Sequence, residues 1–237
     1  MSSYQLRKNC RICFSKNIYK FFTFGKMPLA GGFLKKKDLY KEKLYPLSVM
    51  FCRNCSEVQI CENISSQVLF NDYRFTASTT KTLSDHFKMY ANEIKKNFLK
   101  KNSFVVEFGS NDGVLLKPFK DLGVNAVGVE PASNIAKIAK KKGLTIFNNF
   151  FNVEVSKKIK KKFGYADVIC ANNVFAHMDD IHKPMKGIKF LLKDDGLFVI
   201  EVHYLVDLLK KYQFDMIYHE HFMYHSLIAL ETLFKKY

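Results

Sequence analysis

The stretch Phe104-Val105-Val106-Glu107-Phe108-Gly109-Ser110-Asn111-Asp112-Gly113 decides how this chain is read. A short, nearly continuous apolar run meets a polar loop bounded by glycines. That is the pattern of a strand buried on both faces that turns sharply into a helix. The helical stretch Val114–Leu122 follows, and Gly123 stops it. Toward the C-terminus the alternation repeats. Ala126–Val129 reads as a strand, Ile135–Lys142 as a helix closed by Gly143, and Leu144–Phe147 and Ala166–Ala171 as strands. A helix near Met185–Leu192 then leads to a last strand, Leu197–Val202. Such alternation predicts a parallel sheet with helices on both faces.

In sheets of this kind ligands sit at the carboxyl ends of the strands. Gly109 allows the sharp turn, and Gly113 allows close approach at the helix start. The second strand runs into Glu130, whose carboxylate suits the paired hydroxyls of a ribose. A dinucleotide fingerprint needs glycine at 109, 111 and 114. Here those positions are Gly109, Asn111 and Val114, so a pyrophosphate loop is not made. The spacing Glu107-x-Gly109-x-Asn111-x-Gly113 instead matches the S-adenosylmethionine (SAM) loop, with asparagine in place of its middle glycine. A plain structural turn is the alternative reading. The candidate cofactor residues are Glu107, Gly109, Ser110, Asn111, Gly113, Glu130 and, after the fourth strand, Asn172. The expected fold class is α/β: an incomplete Rossmann-like class I SAM-dependent methyltransferase sheet, preceded by a small β-rich N-terminal domain.

Working outward to the N-terminus, residues 78–101 read as an amphipathic helix with Leu83, Phe87, Tyr90, Ile94 and Phe98 on one stripe. Residues 1–75 are rich in turn signals, at Met27-Pro28, Gly31-Gly32 and Tyr45-Pro46. They hold two C-x-x-C pairs, Cys10/Cys13 and Cys52/Cys55. Two such knuckles can bring four thiolates to one tetrahedral zinc, a closed and therefore structural site. A small β domain buries too little apolar surface to fold unaided, so the metal supplies folding energy. A redox pair would need a βαβ context, which is absent. Cys61 and Cys170 read as ordinary buried thiols. The expected organisation is a zinc-binding domain over 1–75, a linking helix over 76–103 and a SAM-binding domain over 104–237 that lacks its last strands.

The net charge of +16 invites a nucleic-acid reading, but only Arg7, Arg11, Arg53 and Arg74 among the 38 basic residues are arginine. Bidentate recognition of phosphates and bases favours arginine. The lysines cluster in short runs such as Lys35–Lys37, Lys140–Lys142 and Lys160–Lys162, and two of these runs end predicted helices, where cations suit the dipole. A solvated lysine-rich surface is the favoured reading over a nucleic-acid partner. No apolar run reaches the roughly 18 residues of a membrane span, and the polar start lacks the apolar core of a signal peptide. A cytoplasmic location is expected.

Polar residues gather after the later strands: Asn172, Asn173 and His177, then Glu201, His203 and Tyr204, then Tyr218-His219-Glu220-His221-Phe222. Together with Cys10-x-x-Cys13, Pro28-Leu29-Ala30-x-x-Phe33, Tyr45-Pro46-Leu47, Cys52-x-x-Cys55, Tyr73-Arg74-Phe75 and Glu107–Gly113, they give the chain a resemblance along nearly its whole length. It resembles the nucleotide-sugar C-methyltransferases, which add a carbon-bound methyl group to a keto-deoxysugar. The resemblance implies a nucleoside-diphosphate 4-keto-deoxyhexose substrate. It makes His221 the general base, Tyr218 and Glu220 its neighbours, and Tyr73, Asn173 and His177 the residues facing the sugar. Two other readings stay open: an O- or N-methyltransferase of a small metabolite, and a zinc-containing nucleic-acid-binding or scaffold protein. The chain ends at Tyr237, short of the family's usual length. The expectation is therefore a missing C-terminal part, which a separate chain could supply, and an exposed fifth strand that favours self-association.

Overall fold

A long antiparallel hairpin dominates the first part of the chain. After the short β1 (Tyr4–Leu6), β2 (Ile18–Pro28) pairs with β3 (Leu44–Cys52), and β3 pairs with β4 (Val58–Ile60). Strand β5 (Glu62–Ile64) turns back to pair with β1. Irregular register between Lys20 and Phe22 and between Thr23 and Gly25 twists β2. The computed structural model describes residues 4–32, 34–65, 69 and 75–237.

From residue 81 the pattern changes. Helix α1 (Lys81–Phe98) leads into five strands: β6 (Phe104–Phe108), β7 (Asn125–Val129), β8 (Thr145–Phe147), β9 (Ala166–Asn172) and β10 (Leu192–Glu201). Between them run α2 (Leu116–Asp121), α3 (Ser133–Lys141), α4 (Val153–Phe163) and α5 (His182–Leu191). The strands are all parallel, in the order β10-β9-β6-β7-β8. β6 is the middle strand and all five of its residues are buried, which is why every one but Glu107 is apolar. The order reverses between β6 and β9, and this switch point brings the loop after Phe108 beside the end of β9. Helix α1 buries Phe87, Ala91 and Ile94 against Val105, Leu115, Phe119, Val168 and Cys170, so it belongs to the sheet's core. Leu116, Ala136, Ala139, Leu144 and Ile146 form a second cluster.

The last segment carries α6 (Leu205–Lys210), β11 (Met223–Tyr224) and α7 (Leu227–Phe234). β11 adds to β4, completing the order β11-β4-β3-β2. Ser226 caps α7 by accepting from Ala229 N–H at 3.1 Å. The chain therefore forms two interleaved units. A sheet unit contains residues 72–174 and 182–201, and a knuckle unit contains 1–71, 175–181 and 202–237. The C-terminal segment joins the cysteine-bearing strands because β4 offers a strand edge that β11 fills, and Phe222 N–H donates to Ala176 O of the short return 175–181 at 2.7 Å. Among the described residues no helix is long and apolar enough to cross a membrane.

Candidate functional site

In the knuckle unit each C-x-x-C closes a tight turn. Phe14 N–H reaches Cys10 O at 3.1 Å and Ser56 N–H reaches Cys52 O at 2.9 Å, with Phe14 and Ser56 both at positive φ. The four sulfurs lie within 4.8 Å of one another. Cys10 Sγ is 3.5 Å from Cys55 Sγ, and Cys13 Sγ is 3.6 Å from Cys52 Sγ. A disulfide would need about 2.05 Å. The edge of a ZnS₄ tetrahedron with Zn–S of about 2.3 Å is roughly 3.8 Å, so the sulfur cage fits zinc. Thiols this close compete for negative charge. Hydrogen bonding from Cys55 draws Cys10 down to about 5, while Cys55 is pushed up by that bond and by burial. A divalent cation lets all four ionise. Cys61 and Cys170 are buried elsewhere.

In the sheet unit the loop after β6 is built around a carboxylate. Glu130 is 6% exposed, and its two oxygens accept from Asn111 N–H at 2.9 Å and Ala132 N–H at 2.8 Å. Gly109 and Gly113 have φ of +65° and +84°, and a side chain at Gly109 would run into Val174. Asn111, at the middle glycine position, has φ of +48°, a conformation asparagine tolerates better than most residues. Its side chain is engaged in the fold. Oδ1 accepts from Ala77 and Asp112 N–H, and Nδ2 donates to Phe75 O. Asp112 continues this clamp, binding Ser78 and, at 2.9 Å, the Lys142 ammonium.

Behind the loop lie acceptors that the protein does not satisfy. Glu107 is 2% exposed, and Asn172 Nδ2 reaches its Oε1 at 3.4 Å. Glu107 Oε2, Asn172 Oδ1 and Ser110 Oγ have no hydrogen-bond partner among the described residues. Burial pushes Glu107 well above the usual carboxylate range, and the charges of Glu130 and Asp112 add to the shift. Two orphaned acceptors beside a carboxylate short of positive charge suit a cationic donor such as the ammonium of SAM. Glu130 keeps lone pairs for ribose hydroxyls. The residues present thus fit the cofactor read from the loop.

The knuckle unit holds a second polar cluster. His221 is 3% exposed. Its Nδ1 lies 2.9 Å from Met216 O, and a carbonyl only accepts, so Nδ1 carries the proton. Nε2 is then the basic nitrogen, and the Tyr218 hydroxyl donates to it at 2.9 Å. The rings of His177 and His203 lie 4.7 and 5.0 Å from that of His221. Burial, with like-charge neighbours second for His177, holds His177 down to about 3; burial holds His221 down to about 4. These two imidazoles are neutral near pH 7. Tyr218 is pushed up to about 12 by burial and the nearby Glu220. Glu220 is raised by burial, and the Gly31 backbone opposes the shift. His219 Nε2 lies 3.0 Å from Pro46 O.

Of the residues singled out from sequence, the structure groups Glu107, Gly109, Ser110, Asn111, Gly113, Glu130 and Asn172 around one loop. It groups Tyr218, Glu220, His221 and His177 in the knuckle unit. Asn173 belongs to the sheet unit, where it donates to Glu201 Oε1 at 2.6 Å, while His86 meets Glu201 Oε2 at 2.6 Å. Tyr73 lies outside the described residues. In the sequence His203 reads only as part of a polar run after the fifth strand. Its place beside His221 has no sequence signal, because it depends on how the segment 202–237 folds back on itself.

A family described as a methyltransferase domain matches residues 83–237, and a zinc binding domain family matches residues 10–70. The chain is 40% identical over 230 residues to the C-methyltransferase NovU of Streptomyces niveus, covering 96% of this chain. It spans 55% of that relative's length. The PH0226 protein of Pyrococcus horikoshii OT3 shares the fold at a TM-score of 0.52 and 14% identity, covering 69% of this chain and 85% of that one. A SAM-dependent methyltransferase of Archaeoglobus fulgidus does so at 0.50 and 16%, covering 63% and 67%.

Proposed function

The chain belongs to the methyltransferase-domain family, and from that premise we propose that it transfers a methyl group from SAM to a carbon atom of a nucleotide-linked keto-deoxysugar. The observation that carries the reading is His221, a buried neutral imidazole whose Nδ1–H is tied to Met216 O, so that Nε2 is the base. The name of the relative, a C-methyltransferase, supports carbon as the acceptor.

When bound, SAM supplies a methyl group already activated on a sulfonium. Glu107 and Asn172 would hold its ammonium and Glu130 its ribose. Cys10, Cys13, Cys52 and Cys55 would hold zinc, whose part is to stabilise the knuckles. The chemistry asked of the protein is removal of a proton from carbon next to a ketone. Nε2 of His221 takes that proton, and the C–H electron pair moves into an enolate. The hydrogen bond from Tyr218 is given up as Nε2 is protonated, which frees the hydroxyl to donate to the enolate oxygen. The imidazolium is stabilised by the Met216 carbonyl and returns its proton to solvent after the transfer. O- or N-methylation would make no such demand, so His221→Asn separates the readings. With a nucleoside-diphosphate 4-keto-deoxyhexose, carbon methylation should fall by about 10²–10⁴-fold while SAM affinity stays the same. Turnover near that of the native protein would rule out His221 as the base.

A further inference from the structure

The first knuckle does more than hold two sulfurs. Arg11 sits between Cys10 and Cys13 and is 1% exposed, an unusual place for a guanidinium. Its main chain is held by Gln59, whose Oε1 accepts Arg11 N–H at 2.8 Å. Its Nη1 donates to Ile60 O at 2.8 Å. Its Cζ stands 5.1 Å from the centroid of the Phe222 ring, within cation–π range. Its Nε lies 3.5 Å from Asp179 Oδ1, which Arg7 also contacts at 3.1 Å.

These contacts converge on the two histidine-bearing segments. Phe222 follows His221, and Asp179 stands two residues past His177. The backbone closes the same circuit: Phe222 N–H donates to Ala176 O at 2.7 Å and Ile60 N–H to Phe222 O at 3.1 Å. The carbonyl of Ile60 is the one Arg11 holds. The second knuckle grips the far end of the segment, where Ser226 Oγ donates to Ser56 O at 3.0 Å and His225 Nδ1 lies 3.1 Å from Glu57 Oε1.

We propose that Arg11 is the positioning residue for the base: it carries the rigidity of the cysteine cage to His221 and His177 through Phe222 and Asp179. The proposal rests on His221 being the base. A guanidinium suits the role because one planar group can serve a carbonyl, a carboxylate and a ring face at once, which an ammonium cannot. Small displacements of a base are costly, about 10²-fold for about 1 Å.

The test compares Arg11→Met, Arg11→Lys and Asp179→Asn in the full chain. Zinc content and the absorption of a cobalt-substituted cage report whether the knuckle survives. Nitrogen-15 NMR of the histidine rings reports the His221 tautomer without any need for turnover. We expect Arg11→Met to keep one metal per chain and native SAM affinity, to lose the single Nδ1–H tautomer of His221, and to lower kcat about 10²-fold. Arg11→Lys should recover part of both. Asp179→Asn should perturb the His177 ring more than that of His221. If Arg11→Met does not fold, Asp179→Asn alone decides, through the His177 signal. An unchanged His221 tautomer in metal-loaded Arg11→Met, or unchanged rings in Asp179→Asn, overturns the proposal. A native chain with an ordered His221 and no carbon methylation would instead overturn the proposed function.

Discussion

Removing the Glu130 carboxylate should weaken SAM binding and loosen the loop, by amounts that can be worked out separately. Glu130 accepts two backbone N–H groups, from Asn111 at 2.9 Å and Ala132 at 2.8 Å, from a side chain that is 6% exposed. A hydrogen bond to a charged group contributes about 1.5–3 kcal/mol. Glu130→Ala therefore forfeits about 3–6 kcal/mol gross. Two terms reduce this. Burial already raises the Glu130 pKa, so part of the charge's benefit is spent on desolvation. The space left by the side chain also admits water to the freed amides. A net loss of about 2–3 kcal/mol in the stability of the sheet unit is expected. Losing the ribose acceptor adds about 1–3 kcal/mol to SAM binding, or roughly 5- to 150-fold in Kd. Glu130→Gln keeps the volume and one acceptor but turns a donor toward one N–H, so it should fall between. Isothermal titration with SAM at a temperature where the variants are folded measures the second quantity, and urea denaturation the first. A Kd within twofold of native for Glu130→Ala would remove Glu130 from the cofactor site.

Three further outcomes follow from the same structure. Purified protein should contain one zinc per chain, and Cys52→Ser with Cys55→Ser should abolish it by elemental analysis; metal retained without those sulfurs refutes the cage. Binding of cationic SAM should draw Glu107 back to its ionised form, so affinity should rise with pH above the ordinary carboxylate value and binding should release a proton. Titrations in two buffers of different ionisation enthalpy measure that proton, and zero release from Glu107 would show as no difference between native protein and Glu107→Gln. His177, held down to about 3 when folded and ordinary when unfolded, is protonated first in the unfolded chain. Its stabilising contribution is complete above about pH 6.5 and is lost as pH falls toward 3, at up to about 1.4 kcal/mol per pH unit. Denaturation of His177→Gln against native between pH 7 and pH 4 should therefore show the shallower loss in the variant, and parallel curves would refute the burial argument.

The sheet was legible because its strands are short apolar runs punctuated by glycine. β6 was read at its observed bounds, β7 and β8 within one residue at the start, and β9 within one at the end. The last strand was read from Leu197, but pairing begins at Leu192 and resumes at Leu197 after an irregularity that a polar Lys-Asp-Asp sequence hides. Asn111 looked like a departure from the loop pattern, and its left-handed backbone shows it does a glycine's work. The clamp it makes with residues 75–78 joins segments far apart in sequence, and periodicity carries no trace of it. The interleaving of the units was hidden for the same reason. Cys10-Arg11-Ile12-Cys13 reads as a metal knuckle, while the contacts of Arg11 with Phe222 and Asp179 exist only once the chain has returned. The alternation that betrays a half-buried strand is also weak in β2, where Phe21 and Phe22 are adjacent and both about half exposed.

We propose that this protein makes a carbon–methyl bond by deprotonating carbon next to a ketone with His221. The most direct measurement incubates the native chain and His221→Asn with SAM carrying a carbon-13 methyl group and a 4-keto-deoxyhexose nucleotide, and reads the product by NMR. With His221 as the base, the native chain should give a labelled methyl bonded to the carbon beside the carbonyl, and His221→Asn almost none. A label on oxygen or nitrogen, or equal carbon methylation by both proteins, would contradict it.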